Sequence, residues 1–193
     1  MNLDIFFPLS NTIIEMNNIE HANISVKIKR GIPYFRSKLA SMSNNDILRK
    51  IRKIFELNDT MYMKLIGTQE YELDIDELRA WMLNEDDPAH EKMDDYDLAV
   101  LLNAIIEWKR GKREGEKAVH ENYLNNNQIL RKLKIALSLK DEDMLYYLEA
   151  AGRIISKHEL SAFFRHPEQA QYRECQDQIL RNFLQGLESG YKN

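Results

Sequence analysis

Cysteine is almost absent: the single thiol, Cys175, excludes an intramolecular disulfide and any zinc cage built of thiolates. Glycine and proline are sparse, seven and four in 193 residues, which argues against a turn-rich all-β chain and against low-complexity sequence. No apolar run approaches the roughly 20 residues of a membrane-spanning helix, and none suggests a membrane. The first ten residues carry Asp4 where a secretory signal needs positive charge, and Pro8 interrupts their apolar stretch. No export is therefore read, and a cytoplasmic location is expected. Charge of one sign is not in large excess. The net charge of −4 gives no composition-level case for nucleic-acid binding. Missing too are the glycine-rich phosphate loops and the Gly-x-Ser-x-Gly elbow of hydrolases. With no catalytic motif the reading leans away from an enzyme, and neither cofactor nor metal is expected.

What is present is a repeat. Asn44-Asn45-Asp46-Ile47-Leu48-Arg49-Lys50-Ile51-Arg52 reads closely like Asn126-Asn127-Gln128-Ile129-Leu130-Arg131-Lys132-Leu133-Lys134, 82 residues later. The same offset, without a gap, pairs Leu57 with Leu139, Asp59 with Asp141, Trp81 with Phe163, Asp95 with Asp177 and Leu102 with Leu184. One register kept over some sixty residues marks a duplication. The chain therefore divides into an extension (1–41), a first repeat (42–108), a charged linker (109–124), a second repeat (125–190) and a tail (191–193). The extension carries five cations against three carboxylates, a net +2, which leaves −6 to the rest. It is expected to be poorly ordered or to precede a true start at Met42. Ile24-Ser25-Val26-Lys27-Ile28 keeps a docked strand open as the alternative.

Within each repeat the apolar residues fall at helical spacing, as in Ile47, Leu48, Ile51 and Phe55, and again Ile129, Leu130, Leu133 and Leu137. Helix starts recur: Ser43 with Asp46 and Asn125 with Gln128, then Asp59 and Asp141, then Asp74 with Glu77 and Ser156 with Glu159 in capping-box spacing. A last helix carries Leu98, Leu101, Leu102 and Ile105, and in the second copy Leu180, Phe183, Leu184 and Leu187. A polar turn with Pro88 or Pro167 precedes it. Repeats of this size are marginal alone. The expectation is an all-α fold of two tandem pseudo-symmetric repeats, about four helices each, packed together about a pseudo-twofold axis.

The paired Asn-Asn-x-Ile-Leu-Arg-Lys openings, Leu137-x-Leu139 and the paired closing helices resemble the YehS-like family of uncharacterised bacterial proteins, which carry a tandemly repeated domain. The resemblance covers about Met42 to Gly190. It implies a small soluble bacterial protein with a duplicated helical domain, and it carries over no catalytic residue.

For function, the basic opening helix of each copy stands out. Arg49, Lys50, Arg52 and Lys53 recur as Arg131, Lys132 and Lys134. Two such helices would present a bipartite basic surface to an acidic protein partner or to phosphates. The leading expectation is a non-enzymatic interaction module, with RNA or DNA binding through the same helices as the alternative and an enzyme with an unrecognised pocket as the third. Lys and Arg also solvate outer faces and form internal ion pairs, so one structural pairing used twice is the competing account. The acidic turn Asn84–Asp97 lacks the ligand pattern of a calcium loop and reads as solvated. His158-Glu159 lacks the second histidine of a zinc peptidase, Ala162 standing in its place. Cys175 aligns with Met93 and reads as a core residue, as does the Trp81/Phe163 layer. The sequence leaves the oligomeric state open.

Overall fold

The computed structural model describes residues 41–112, 115 and 119–191. The extension expected over 1–41 lies outside the described residues but for Ser41, as does part of the linker. Eight helices make up the described fold, with no strand among those residues. The first copy contributes α1 (Asn44–Ile54), α2 (Asp59–Gly67), α3 (Ile75–Met82) and α4 (Asp95–Arg110). The second contributes α5 (Asn126–Ala136), α6 (Asp141–Ala150), α7 (Lys157–Ala162) and α8 (Asp177–Gly190).

Local sequence accounts for the helix boundaries. Ser43 and Asp46 close a capping box on α1, and Asn125 and Gln128 do the same for α5. Each box satisfies amides that a helix start leaves without partners. The third helices differ from each other. Ser156 and Glu159 form the full box on α7, whereas Asp74 accepts only from the Asp76 amide and Glu77 does not return the contact. A box at Asp94 and Asp97 starts α4. Between the first and second helices the chain turns on a residue with positive φ, Glu56 in one copy and Ser138 in the other, at +53° and +54°. The two turns share one backbone path, with Leu57 N–H donating to Arg52 and Leu139 N–H to Lys134.

The copies interlock. α1 packs on α8 and α5 on α4, so each opening helix rests against the closing helix of the other copy. Lys50 reaches across to Gln185 and Glu188 of α8, and Lys132 reaches across to Asn103 of α4, the counterpart of Gln185. The Met42 amide donates to Asp177 at 3.3 Å, and the Leu124 amide donates to Asp95 at 3.0 Å. The expected pseudo-twofold duplication is therefore present as a set of reciprocal contacts, as an isologous interface demands. A single core runs through both copies and includes Trp81, Tyr62, Phe55 and Phe183. Cys175 and Met93 are both buried in it, and burial pushes the Cys175 thiol up to about 12.

The core has two buried polar residues among those described, Asn45 and Asn127. Asn45 donates to the carbonyls of Trp81 and Glu91, 2.8 Å each, and accepts from the Met93 amide at 3.1 Å. Asn127 repeats all three contacts, to Phe163 at 2.9 Å, Arg173 at 2.8 Å and the Cys175 amide at 2.8 Å. Each amide thereby pins the long turn between the third and fourth helices onto the first helix. The neighbouring Asn44 and Asn126 donate to Asp95 and Asp177, the carboxylates that also hold the other copy's entry. Asn45→Asp keeps the shape but replaces the donor with an acceptor facing two carbonyls. It should cost about 3 kcal/mol by chemical denaturation, with faster hydrogen exchange at the Met93 amide, because the buried groups lose their partners.

Gly186 on α8 is where α6 comes closest. A Cβ there would sit 1.9 Å from the Tyr147 carbonyl oxygen. Its counterpart in the first copy is Ala104, buried against the core, so that copy accommodates a methyl which α6 and α8 do not. Gly186→Ala should lower stability by about 1–3 kcal/mol through overpacking, although alanine is the better helix former. Gly67→Ala, where nothing lies within 4 Å of the new methyl, should not lower it. Paired thermal melts check both.

Candidate functional site

The basic face of α1 borders a groove of about 770 Å³. Six cations line it: Arg49, Lys50, Arg52, Lys53, Arg79 and Arg181. Two carboxylates, Asp46 and Asp59, and four apolar residues, Met42, Leu57, Met82 and Leu83, complete the lining. Among the described residues no aromatic ring contributes. The groove is built from four helices and from both copies, since Asp59 lies on α2, Arg79 on α3 and Arg181 on α8.

Most of these charges also have structural work. Arg49 donates to Asp46 at 2.8 Å and to the Leu83 carbonyl at 3.1 Å, tying α1 to the end of α3. Arg52 donates to Asp59 at 2.6 Å and to the Leu57 carbonyl at 3.0 Å, stapling the turn between α1 and α2. Lys50 and Lys53 share Glu188. Arg79 lies 3.7 Å from Asp59. The carboxyls respond accordingly. The Arg52 hydrogen bond and charge hold Asp59 below its ordinary value, and Lys50 does the same for Glu188. Burial works against ionisation of Asp46, but hydrogen bonds from Arg49 and Ser43 outweigh it and hold that carboxyl down as well.

The second copy repeats part of this pattern. Arg131 donates to the Phe164 carbonyl at 2.6 Å, Lys134 pairs with Asp141, and Lys132 lies 2.9 Å from Glu121. The ammonium of Lys134 also sits 4.6 Å above the Phe164 ring. All seven basic residues singled out by the sequence therefore lie on the two opening helices with named partners, three pairs of them in matching positions and Lys53 facing no cationic counterpart. The face of α1 is further brought into one groove with Arg79 and Arg181. These two are invisible to a reading by repeat, because their counterparts are Ser161 and Ala99.

The acidic turn is occupied by local bonding. Asp87 accepts from the Ala89 amide, Asp94 and Asp97 cap α4, Asp95 receives Asn44 and the Leu124 amide, and Tyr71 donates its hydroxyl to Asp97. Among the described residues no group of three His, Cys, Asp or Glu side chains gathers as a metal set. Glu159 serves the Ser156 box. No described helix is long and apolar enough to cross a membrane.

A carboxyl whose folded pKa is depressed adds stability that is fully present above its unfolded value, about 4.3 for glutamate. That stability is lost as pH falls through the folded value. For Glu188 the largest cause is the hydrogen bond from Lys50. In Lys50→Met the Glu188 titration, followed by carboxyl-carbon NMR, should move up toward the ordinary glutamate range, and its share of acid-labile stability should disappear. A titration unmoved by the substitution would show that Lys50 is not the cause.

The family model described as "Protein of unknown function (DUF1456)" matches twice, over residues 44–111 and 126–192. "Uncharacterized protein YehS" of Escherichia coli (strain K12) is 37% identical over 147 residues, which cover 76% of this chain and 94% of that relative. No solved structure matches. The two family matches fall on the two helical copies that pack across each other, and the chain belongs to the DUF1456 family as a tandem pair of its domain.

Proposed function

We propose that the protein is a non-enzymatic interaction module that takes an acidic protein partner on the basic first-helix surfaces. The observation that supports this reading is the groove on α1, where six cations face two carboxylates in the lining. An excess of positive charge in a concave site raises the local concentration of an anionic segment and speeds its encounter. Lys53 and Arg79, with 67% and 63% of their side chains exposed, are the two most open to such a segment among the paired cations of this face.

A polypeptide fits the lining better than a nucleic acid does. Single-stranded nucleic acids are held by aromatic platforms on which bases stack, and none lines the groove among the described residues. The half-buried Met82 and Leu83 in the lining suit side chains of a peptide.

The test is fluorescence anisotropy on the full chain with three labelled probes: a peptide carrying glutamates and leucines at helical spacing, a single-stranded RNA and a duplex DNA. The peptide should bind, weaken as salt rises and bind at least about threefold more weakly to Lys53→Glu, since reversing a rim charge alters attraction directly. Oligonucleotides that bind while the peptide does not would replace this reading with the nucleic-acid one.

A further inference from the structure

We infer that the duplication has diverged so that the copy-one groove alone is the binding site, one acidic and partly apolar segment being held per chain. This rests on the reading proposed above and narrows it from two basic helices to one groove. The opening helices share their sequence pattern, but three cations of the copy-one groove have no cationic counterpart. Lys53 corresponds to Ile135, Arg79 to Ser161 and Arg181 to Ala99. In return, the second copy adds Arg165 where the first has Leu83. Ile135 is exposed, so the position most open on the basic face of α1 is apolar on α5.

The apolar lining has diverged as well. Met82 lines the copy-one groove. Its counterpart Phe164 carries the Lys134 ammonium over its ring instead. That arrangement takes Lys134 into a contact within its own copy, in addition to its pair with Asp141. On the linker side, Lys132 meets Glu121, whose place at the 82-residue offset is taken in the sequence by Leu39. The shared cations are paired within the chain on both faces, and the α5 face lacks the added ones. The α1 face keeps two strongly exposed cations, Lys53 and Arg79, beside methionine and leucine side chains. Carboxylates spaced to meet those cations, with aliphatic groups between them, describe the segment that the groove complements. An acidic segment without aliphatic groups leaves the half-buried Met82 and Leu83 uncovered.

The duplication supplies its own substitutions. Lys53→Ile with Arg79→Ser gives the first copy the residues that the fold already carries at the same places in the second. Arg165→Leu with Lys140→Asn removes two cations from the second copy by the reverse exchange. All three chains, parent and variants, would be titrated at full length with the labelled glutamate–leucine peptide and with polyglutamate, and calorimetry would count peptides bound. The parent should bind one peptide and prefer it to polyglutamate. The Lys53/Arg79 variant should bind it at least about fivefold more weakly with an unchanged melting temperature, as expected from losing two exposed ion pairs. The Arg165/Lys140 variant should bind within about twofold of the parent. Two peptides per chain, equal losses in both variants, or equal affinity for polyglutamate would overturn this inference and leave the broader reading in place. No binding of either acidic probe to the parent would overturn both.

Discussion

Two buried amides hold this fold together. Asn45 and Asn127 lie on the first helix of each copy, and each fastens the turn leading to the fourth helix through two donated and one accepted hydrogen bond. A buried polar group is costly without partners and directional with them. The long turns have little regular structure of their own, so the amides fix where α4 and α8 begin. Everything across the copies follows from those starts. Asp95 and Asp177, at the first positions of α4 and α8, receive the adjacent Asn44 and Asn126 and the backbone entering the opposite copy.

The duplication is structural before it is functional. An opening helix has an apolar stripe that its own copy covers in part, and the closing helix of the other copy covers more of it. Copies of about 65 residues, each leaving such a face, gain by sharing a core. Reciprocity is visible down to Lys50 with Gln185 and Lys132 with Asn103, which are the same contact seen from each side. The departures from symmetry are therefore informative. Gly186 permits a helix approach that Ala104 does not copy, and Lys53 and Arg79 open a cationic groove that Ile135 and Ser161 do not.

Charge on α1 does two things at once. Arg49 and Arg52 tie neighbouring elements through carbonyls and carboxylates, while the more exposed Lys53 and Arg79 leave the groove edge positive. Partly exposed ion pairs add little net stability, yet they fix side-chain positions. Under the proposed function, such fixing would lower the ordering cost of binding an anionic segment.

Much of the fold was legible in the sequence. The 82-residue offset, the apolar spacing of Ile47, Leu48 and Ile51, and the boxes at Ser43, Asn125 and Ser156 are local properties, so periodicity and capping chemistry suffice to read them. The seven basic residues of the opening helices were legible for the same reason. The role of Asn45 was not, because its partners at Trp81, Glu91 and Met93 lie 36 to 48 residues away and only the packed core makes its burial binding. The groove was not legible either. Arg79 and Arg181 belong to other helices, one of them in the other copy, and differ from their repeat counterparts. Sequence by itself determined that two helical copies would form and where the first three helices of each would start, since those depend on neighbours along the chain. Only the tertiary structure decided which charges meet across the copies and which face stays open, because these depend on how the helices pack against one another.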